Sequence, residues 1–475
     1  MSAGLPPNRT ASTGEASRVP IDLLRRYDRP GPRYTSYPTA VEFHEGFDER
    51  AYRERLAEAA AAPSAPLSLY VHLPFCSERC TFCGCMVVIT QKPEVSAKYL
   101  GYLHRELEML AAALGSRRHL LQYHWGGGTP TYLSVKQMAD LHERVVRHFT
   151  LDPGAEVAIE IDPRVTTIEQ LRLLRDMGFN RLSLGVQDFA PDVQVAVNRV
   201  QSEAETRAIF DEARRLGFGS INIDLIYGLP LQTRSSFSQT IDTVVDMRPD
   251  RVAVYSYAHV PWIRAHQKRL DTDAIPTGDR KLDLFAEAMA RFLSAGYRQI
   301  GMDHFALPDD ELAHAVDRHE LHRNFMGYTT RPASDLVGAG LSAIGDVAGA
   351  FAQNVKKLTT YYDAIDAGRF PIERGYLLDE DDKLRRFVIA ELMCNFRLEL
   401  AAVSRVAGVP FEQYFATEIE QLAAGPMADG LATLDRQRLE LTMPGRLLVR
   451  NVAMIFDRHL RARTAGPAPV FSRTV

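Results

Sequence analysis

The chain has 475 residues, too many for one simple core and enough for a large domain with appendages. Its composition, 46% apolar and 24% charged, is that of a globular protein rather than a fibrous, disordered or membrane-embedded one. A net charge of -4 excludes a global basic field for nucleic acid or membrane surfaces, so an acidic substrate must be met by local arginines.

Residues 1–20 are small, polar and proline-containing, without the apolar stretch of a signal peptide, and read as a disordered leader. No run approaches the roughly 18 apolar residues of a membrane span. Residues 21–63 form an N-terminal arm: the proline-braced segment Gly31-Pro-Arg-Tyr-Thr-Ser-Tyr-Pro38, then a short helix near 48–61. From 64 to about 310, short β-rich runs alternate with amphipathic stretches. Candidate strands are 67–73, 120–125, 156–161, 181–186, 220–226 and 251–257. A helix with Leu103, Leu107 and Leu110 on one face separates the first two, and later helices lie near 168–177, 203–216 and 234–246. Strands separated by helices predict parallel β/α units. The fold class is therefore α/β, a partial TIM-like (β/α)6 barrel whose chemistry sits at the C-terminal strand ends. Residues 311–475 are expected to be a mainly helical C-terminal domain covering the substrate, with helices dominating from about 345 and a short β-like run at 439–442.

Four of the five cysteines, Cys76, Cys80, Cys83 and Cys85, fall within ten residues; Cys394 is remote. Disulfides between such neighbours would be strained, and clustered thiols in a long unsecreted chain read as metal ligands in a reducing, cytoplasmic setting. The spacing is C-x3-C-x2-C-x-C. Three thiolates on one loop suit three irons of a 4Fe–4S cube, leaving the fourth iron open to a small molecule. A structural zinc site would pair two knuckles or add histidines elsewhere, and four cysteines in one loop fit that poorly. Cys85 could be a spare ligand, a functional thiol or a structural residue, but a fourth thiolate would close the open iron.

C-x3-C-x2-C after the first strand, in register with His124-Trp-Gly-Gly-Gly-Thr-Pro-Thr131 after the second, resembles the radical S-adenosylmethionine (SAM) superfamily. Further segments narrow the match: the arm motif, Cys83-Gly-Cys85, Glu160-Ile-Asp-Pro-Arg164, Gly185-Val-Gln-Asp-Phe189, Asn222-Ile-Asp-Leu-Ile-Tyr-Gly-Leu-Pro230, Tyr257-Ala-His259, Gly301-Met-Asp-His-Phe305 and Cys394-Asn-Phe-Arg397. Together they resemble the oxygen-independent coproporphyrinogen III oxidases (dehydrogenases) of haem biosynthesis, from about residue 22 to Arg473. The resemblance implies a 4Fe–4S cluster on Cys76, Cys80 and Cys83 and two bound SAM molecules. It places Tyr70, Phe82, Gly127, Gly128, Thr129, Glu160, Gln187, Arg199, Asp224, Ala258 and Ile344 at SAM contacts. His124, His259 and His304 could be proton donors or substrate contacts, or hydrogen-bonded core histidines.

The implied reaction is anaerobic oxidative decarboxylation of two propionates of coproporphyrinogen III to vinyl groups, giving protoporphyrinogen IX. A substrate with four propionates needs cations, and Arg33, Arg323 and Arg397 are candidates, with Tyr34 and Tyr37 beside them. An electron donor such as flavodoxin or ferredoxin is implied, and a monomer is expected. The rival classes are a haem-delivery relative that keeps the cluster without oxidase activity and a zinc-stabilised binding module. The first usually lacks the Gly-Cys after the third cysteine and the arm motif, both present here.

Overall fold

The computed structural model describes residues 20–463 and 471–474. The expected leader, but for Pro20, lies outside them. One twelve-stranded sheet dominates. Its strands, in chain order, are β1 (Leu67–Leu73), β2 (His119–Gly127), β3 (Thr150–Ile161), β4 (Arg181–Gln187), β5 (Ser220–Tyr227), β6 (Arg251–Ser256), β7 (Arg298–Ile300), β8 (His304–Ala306), β9 (Asp335–Ala339), β10 (Ile344–Val347), β11 (Ala350–Asn354) and β12 (Ile372–Leu377). Their spatial order is β12-β11-β10-β9-β1-β2-β3-β4-β5-β6-β8-β7. Strands β1 to β6 are successive parallel neighbours, the six β/α units expected from the sequence.

The crossover helices have sharp starts. Ser134, Thr167, Ser202 and Thr233 each cap a helix and form a reciprocal capping box with Gln137, Gln170, Glu205 and Ser236. Each box satisfies two otherwise orphaned backbone donors, which sets where strand gives way to helix. Along β4 and β5 the sequence alternates. Leu182, Leu184, Val186, Ile221, Ile223 and Leu225 join the core, while Ser183, Gly185, Asn222 and Asp224 line interior cavities. The period of two thus delivers polar groups to the inside of the barrel.

The sheet runs past the expected boundary at 310. β9 pairs parallel with β1, Tyr70 opposite Gly338, and β10 to β12 follow antiparallel. Residues 335–377 therefore extend the barrel sheet, where helices were expected to dominate from about 345. Both β9 and β11 are buried throughout, so neither shows the alternation that betrays a half-exposed strand. Buried Arg117 ties this junction together: it pairs with Asp335 at 2.7 Å and donates to the carbonyls of Ala59, Ala65 and Pro66.

Beyond residue 378 a helical domain has its own core, including Leu384, Val388, Leu392, Phe411, Phe415 and Phe456. The run expected at 439–442 is Arg438–Leu441, central strand of a three-stranded sheet. Tyr34 and Tyr37 of the arm are buried in this second core. The arm also pairs with the C-terminal segment, Gly31 N–H donating to Ser472 O at 3.0 Å and Thr474 N–H to Arg29 O at 2.9 Å. Arg450 forks across both, donating to Gly31 O, Pro32 O and Thr474 O.

Candidate active site

The cysteine loop leaves the C-terminal end of β1. It is closed at its base by the parallel pair Phe75–Cys76 and Val88–Ile89. Thr81 N–H donates to Val197 O at 3.0 Å, tying the loop to the segment after β4. All four of its cysteines are free thiols; Cys80 is buried, Cys76 and Cys83 half-buried, and Cys85 exposed.

Facing it is the glycine loop after β2. Gly128 N–H donates to Leu73 O and Thr129 N–H to Phe75 O, so the loop is stitched onto β1. Gly127 has φ +119°, and a Cβ there would meet the His72 ring at 2.7 Å. At Gly128 a Cβ would lie 2.7 Å from the Pro74 carbonyl. Only glycine permits this approach, and it leaves backbone exposed toward the cleft.

The two loops border an open cleft of about 270 Å³. Cys76, Cys80, Cys83, Phe82, Gly127, Gly128, Thr129, Glu160, Gln187, Arg199 and Asp224 line it. These residues come from the ends of β1 to β5 and the loops that follow them, so the β/α topology brings together what the sequence separates. Tyr70, Ala258 and Ile344 do not line this cleft. Tyr70 stands behind the glycine loop, donating from its hydroxyl to His72 Nδ1 at 2.9 Å and stacking on His124. The Ala258 carbonyl accepts from Gln267 at 3.2 Å. Ile344 lies on β10, packed against the Phe43–Phe351 cluster.

Electrostatics divides the two carboxylates. Burial would raise Glu160, but His124, the Gly127 amide at 3.0 Å and His72 together hold it below the ordinary carboxylate range. Burial pushes Asp224 up to about 6, and the charge of Glu160 adds to this, against hydrogen bonds from Ser183 at 2.9 Å and Asn222 at 2.8 Å. Burial also lowers His72, favouring its neutral form.

Asp162 and Arg164, to which the sequence motif alone assigns no role, prove to be site residues. Asp162 accepts from Arg164 at 2.6 Å and from Arg199 at 2.9 Å. Both guanidinium groups reach Cys80 Sγ, at 3.8 and 3.7 Å. Tyr255, at the end of β6, also lines the cleft. A polar residue two or four positions beyond Glu160 was the available signal. Of the histidines, His124 stands 3.7 Å from Glu160, His259 bonds Tyr257 and His304 bonds Asp303.

The expected substrate residues separate. Arg33 reaches the barrel end, donating to Ser256 O and lying 6.0 Å from the Tyr255 ring. Tyr34 is turned elsewhere: its hydroxyl donates to Asp457 at 2.9 Å inside the helical domain. Tyr37 is buried there too, accepting from Arg458 N–H. Both are anchors of the arm, because a phenol sunk in an apolar core needs a polar partner for its hydroxyl. Arg323 is half-buried, donates to Arg33 O at 3.2 Å and has an unpartnered Nε. Arg397 is paired with Glu399 at the surface.

A family profile described as the radical SAM superfamily matches residues 70–244, and one described as the HemN C-terminal domain matches 378–448. The oxygen-independent coproporphyrinogen III oxidases of Pseudomonas aeruginosa and Escherichia coli are each 46% identical, over 93% of this chain and 96% of theirs. The chain belongs to this family. The solved structure of coproporphyrinogen III oxidase (HemN) from E. coli, described as a radical SAM enzyme, superposes with a TM-score of 0.88 at 44% identity, covering 94% of this chain and all of that one. By family it is an oxidoreductase of the radical SAM class, and the superfamily's cofactors are a 4Fe–4S cluster and SAM.

The residues present fit those cofactors. Three free thiols on one loop match a cube with one open iron, and the guanidinium groups of Arg164 and Arg199 lie 3.8 and 3.7 Å from the Cys80 sulfur. Two cradling glycines and Arg199, whose buried Nε is unpartnered, line the same cleft.

Proposed function

We propose that the protein converts coproporphyrinogen III to protoporphyrinogen IX in haem biosynthesis, by anaerobic oxidative decarboxylation of two propionates to vinyl groups. The observation that carries this is the single cleft shared by Cys76, Cys80, Cys83, the glycine loop, Glu160 and Asp224, in a chain related nearly end to end to oxidases of that name. Cys76, Cys80 and Cys83 would hold the cluster beside SAM, and the two would together supply one-electron chemistry and a 5′-deoxyadenosyl radical able to take hydrogen from an unactivated propionate β-carbon. Each propionate gives up one hydrogen atom to that radical, then carbon dioxide and one electron to an acceptor. No side-chain base could begin this, because the C–H bond is not acidic.

The chain's own residues bind, orient and exclude water. Cys76, Cys80 and Cys83 hold three irons. Gly127, Gly128 and Thr129 present backbone to the SAM amino acid portion, and Arg199 offers its free Nε to a carboxylate. Glu160, ionised, and Asp224, poised nearby, accept hydroxyl hydrogen bonds or face the sulfonium. Gln187 and Phe82 complete the wall, with Tyr70 supporting from behind. A second SAM is supported by a polar cavity that shares Glu160, Ser183, Asp224 and Tyr255 with the cleft. Ala258 and Ile344 remain family-implied contacts.

Arg33 and Arg323 meet the substrate carboxylates. Both are half-buried without a direct ion pair among the described residues, their charges acting together on Asp303, and such cations favour an anionic ligand. The reading includes an electron donor such as flavodoxin or ferredoxin, a monomeric state and a cytoplasmic location. Anaerobic turnover of coproporphyrinogen III with SAM, followed by product analysis, tests it; SAM cleavage without a change in the porphyrinogen would refute the substrate.

A further inference from the structure

The surface around the cysteine loop is unusual in two ways. Eleven large apolar side chains are exposed among the described residues, and five of them, Val195, Val200, Leu231, Trp262 and Ile263, belong to segments gathered at this loop. These segments pack in one apolar cluster with Phe82, through Val193, Val197, Leu229, Tyr257 and Leu270. Trp262 and Ile263, adjacent in sequence, are both 57% exposed.

Charge is concentrated at the same place. Residues 251–270 contain no acidic residue, and Arg264, His266, Lys268 and Arg269 crowd its end. The positive charges of Arg79, Arg264 and Arg269 all act on His266, and those of Arg79 and Arg264 act on Cys83. None of Arg79, Arg264, Lys268 and Arg269 is in an ion pair among the described residues, in a chain whose other surface arginines are widely paired. Nearby acids are Glu78, Asp271 and Asp273, which flank the patch in sequence. The patch is also bonded to the loop itself. His266 Nε2 lies 2.8 Å from the Cys83 carbonyl, and Gln267 donates to the Phe82 carbonyl at 3.0 Å.

An exposed Trp among unpaired arginines is the composition of a protein interface rather than of idle surface. The buried cation Arg450 suits a small anionic ligand, whereas the exposed Lys268 and Arg269, with half-buried Arg79 and Arg264 beside them, suit an acidic macromolecule. The position suits electron delivery, because the segment lies directly over a cysteine that would carry the cluster. We propose that residues 262–269, with Arg79, form the docking surface for a small acidic one-electron carrier protein. On transfer the carrier is oxidised by one electron and the cluster reduced by one; no bond forms or breaks. Such encounters are small, transient and steered by charge. The inference rests on the reading that the loop holds a redox cluster.

The test compares the wild-type holoenzyme with Arg264→Glu/Lys268→Glu/Arg269→Glu and with Trp262→Ala, using FMN-loaded flavodoxin as the probe. Oxidised flavodoxin, titrated calorimetrically, should bind the triple variant at least about tenfold more weakly and without the wild type's loss of affinity in high salt. Trp262→Ala should weaken binding while keeping the salt dependence. Reduction of the cluster by reduced flavodoxin, followed by absorbance, should slow in step, while iron content and dithionite-driven SAM cleavage stay at wild-type levels. Equal binding by the triple variant and wild type would overturn the proposal. So would a raised KM for coproporphyrinogen III under dithionite, which would assign the patch to substrate. A wild-type protein that binds no cluster would overturn the underlying reading instead, and the proposal with it.

Discussion

Arg199 and Asp162 form a buried ion pair at 2.9 Å, with the same guanidinium nitrogen 3.7 Å from the Cys80 sulfur. The pair is backed by Arg164, which donates to both oxygens of Asp162. Removing one partner of a buried pair costs about 3–5 kcal/mol when the other charge is stranded. Here Asp162 keeps Arg164, so Arg199→Ala should cost less, roughly 2 kcal/mol, by calorimetric melting. SAM affinity should fall at least about tenfold with iron content retained, and Arg199→Lys should restore charge without the fork. Unchanged SAM affinity would make Arg199 a purely structural residue.

The cysteines separate ligands from bystander. Replacing Cys76, Cys80 or Cys83 by Ser should abolish bound iron, or leave a defective cluster unable to cleave SAM. Cys85 is exposed and lines the same cleft, and its backbone N–H donates to Cys83 Sγ at 3.4 Å. Cys85→Ser should therefore keep near wild-type iron. Iron loss in Cys85→Ser equal to that in Cys76→Ser would make it a ligand.

Asp224 should give SAM binding a pH dependence. Burial, then Glu160, push its folded pKa up to about 6 from 3.8. The carboxylate acceptor is thus available only above about pH 6, and SAM affinity of the substrate-free protein should rise through that value. Stability moves the other way: a raised pKa contributes stability that is full below pH 3.8 and lost as pH rises through 6. Asp224→Asn should flatten both profiles, measured by SAM titration and by melting temperature across roughly pH 5 to 8. A wild-type affinity that does not change between these limits would refute the role.

The arm divides into grip and anchor. Arg33→Ala loses one bond to a backbone carbonyl and should leave melting nearly unchanged, yet raise the KM for coproporphyrinogen III about tenfold. Tyr34→Phe strips Asp457 of a buried donor and should cost about 1–3 kcal/mol with KM little changed. A truncated chain beginning at residue 45 should fold poorly in its helical domain, since Tyr34, Tyr37 and the Arg450 fork are all lost. The opposite pattern, stability lost at Arg33 and KM at Tyr34, would reverse the assignment.

The sequence by itself determined the cysteine spacing, the glycine loop and the six β/α units. Each is local: a ligand set within one loop, a conformation only glycine allows, a period of two between capped helices. What only the tertiary structure decided is non-local. β9 is buried throughout and carries no alternation, so its place beside β1 depends on a pairing partner remote in sequence. Tyr34 looked like a ligand because phenols suit carboxylates, but its direction is set by Asp457, more than four hundred positions along the chain. Asp162 and Arg164 looked like motif filler until Arg199 and Cys80 were folded onto them, because a charge's role depends on which opposite charge the fold brings within reach.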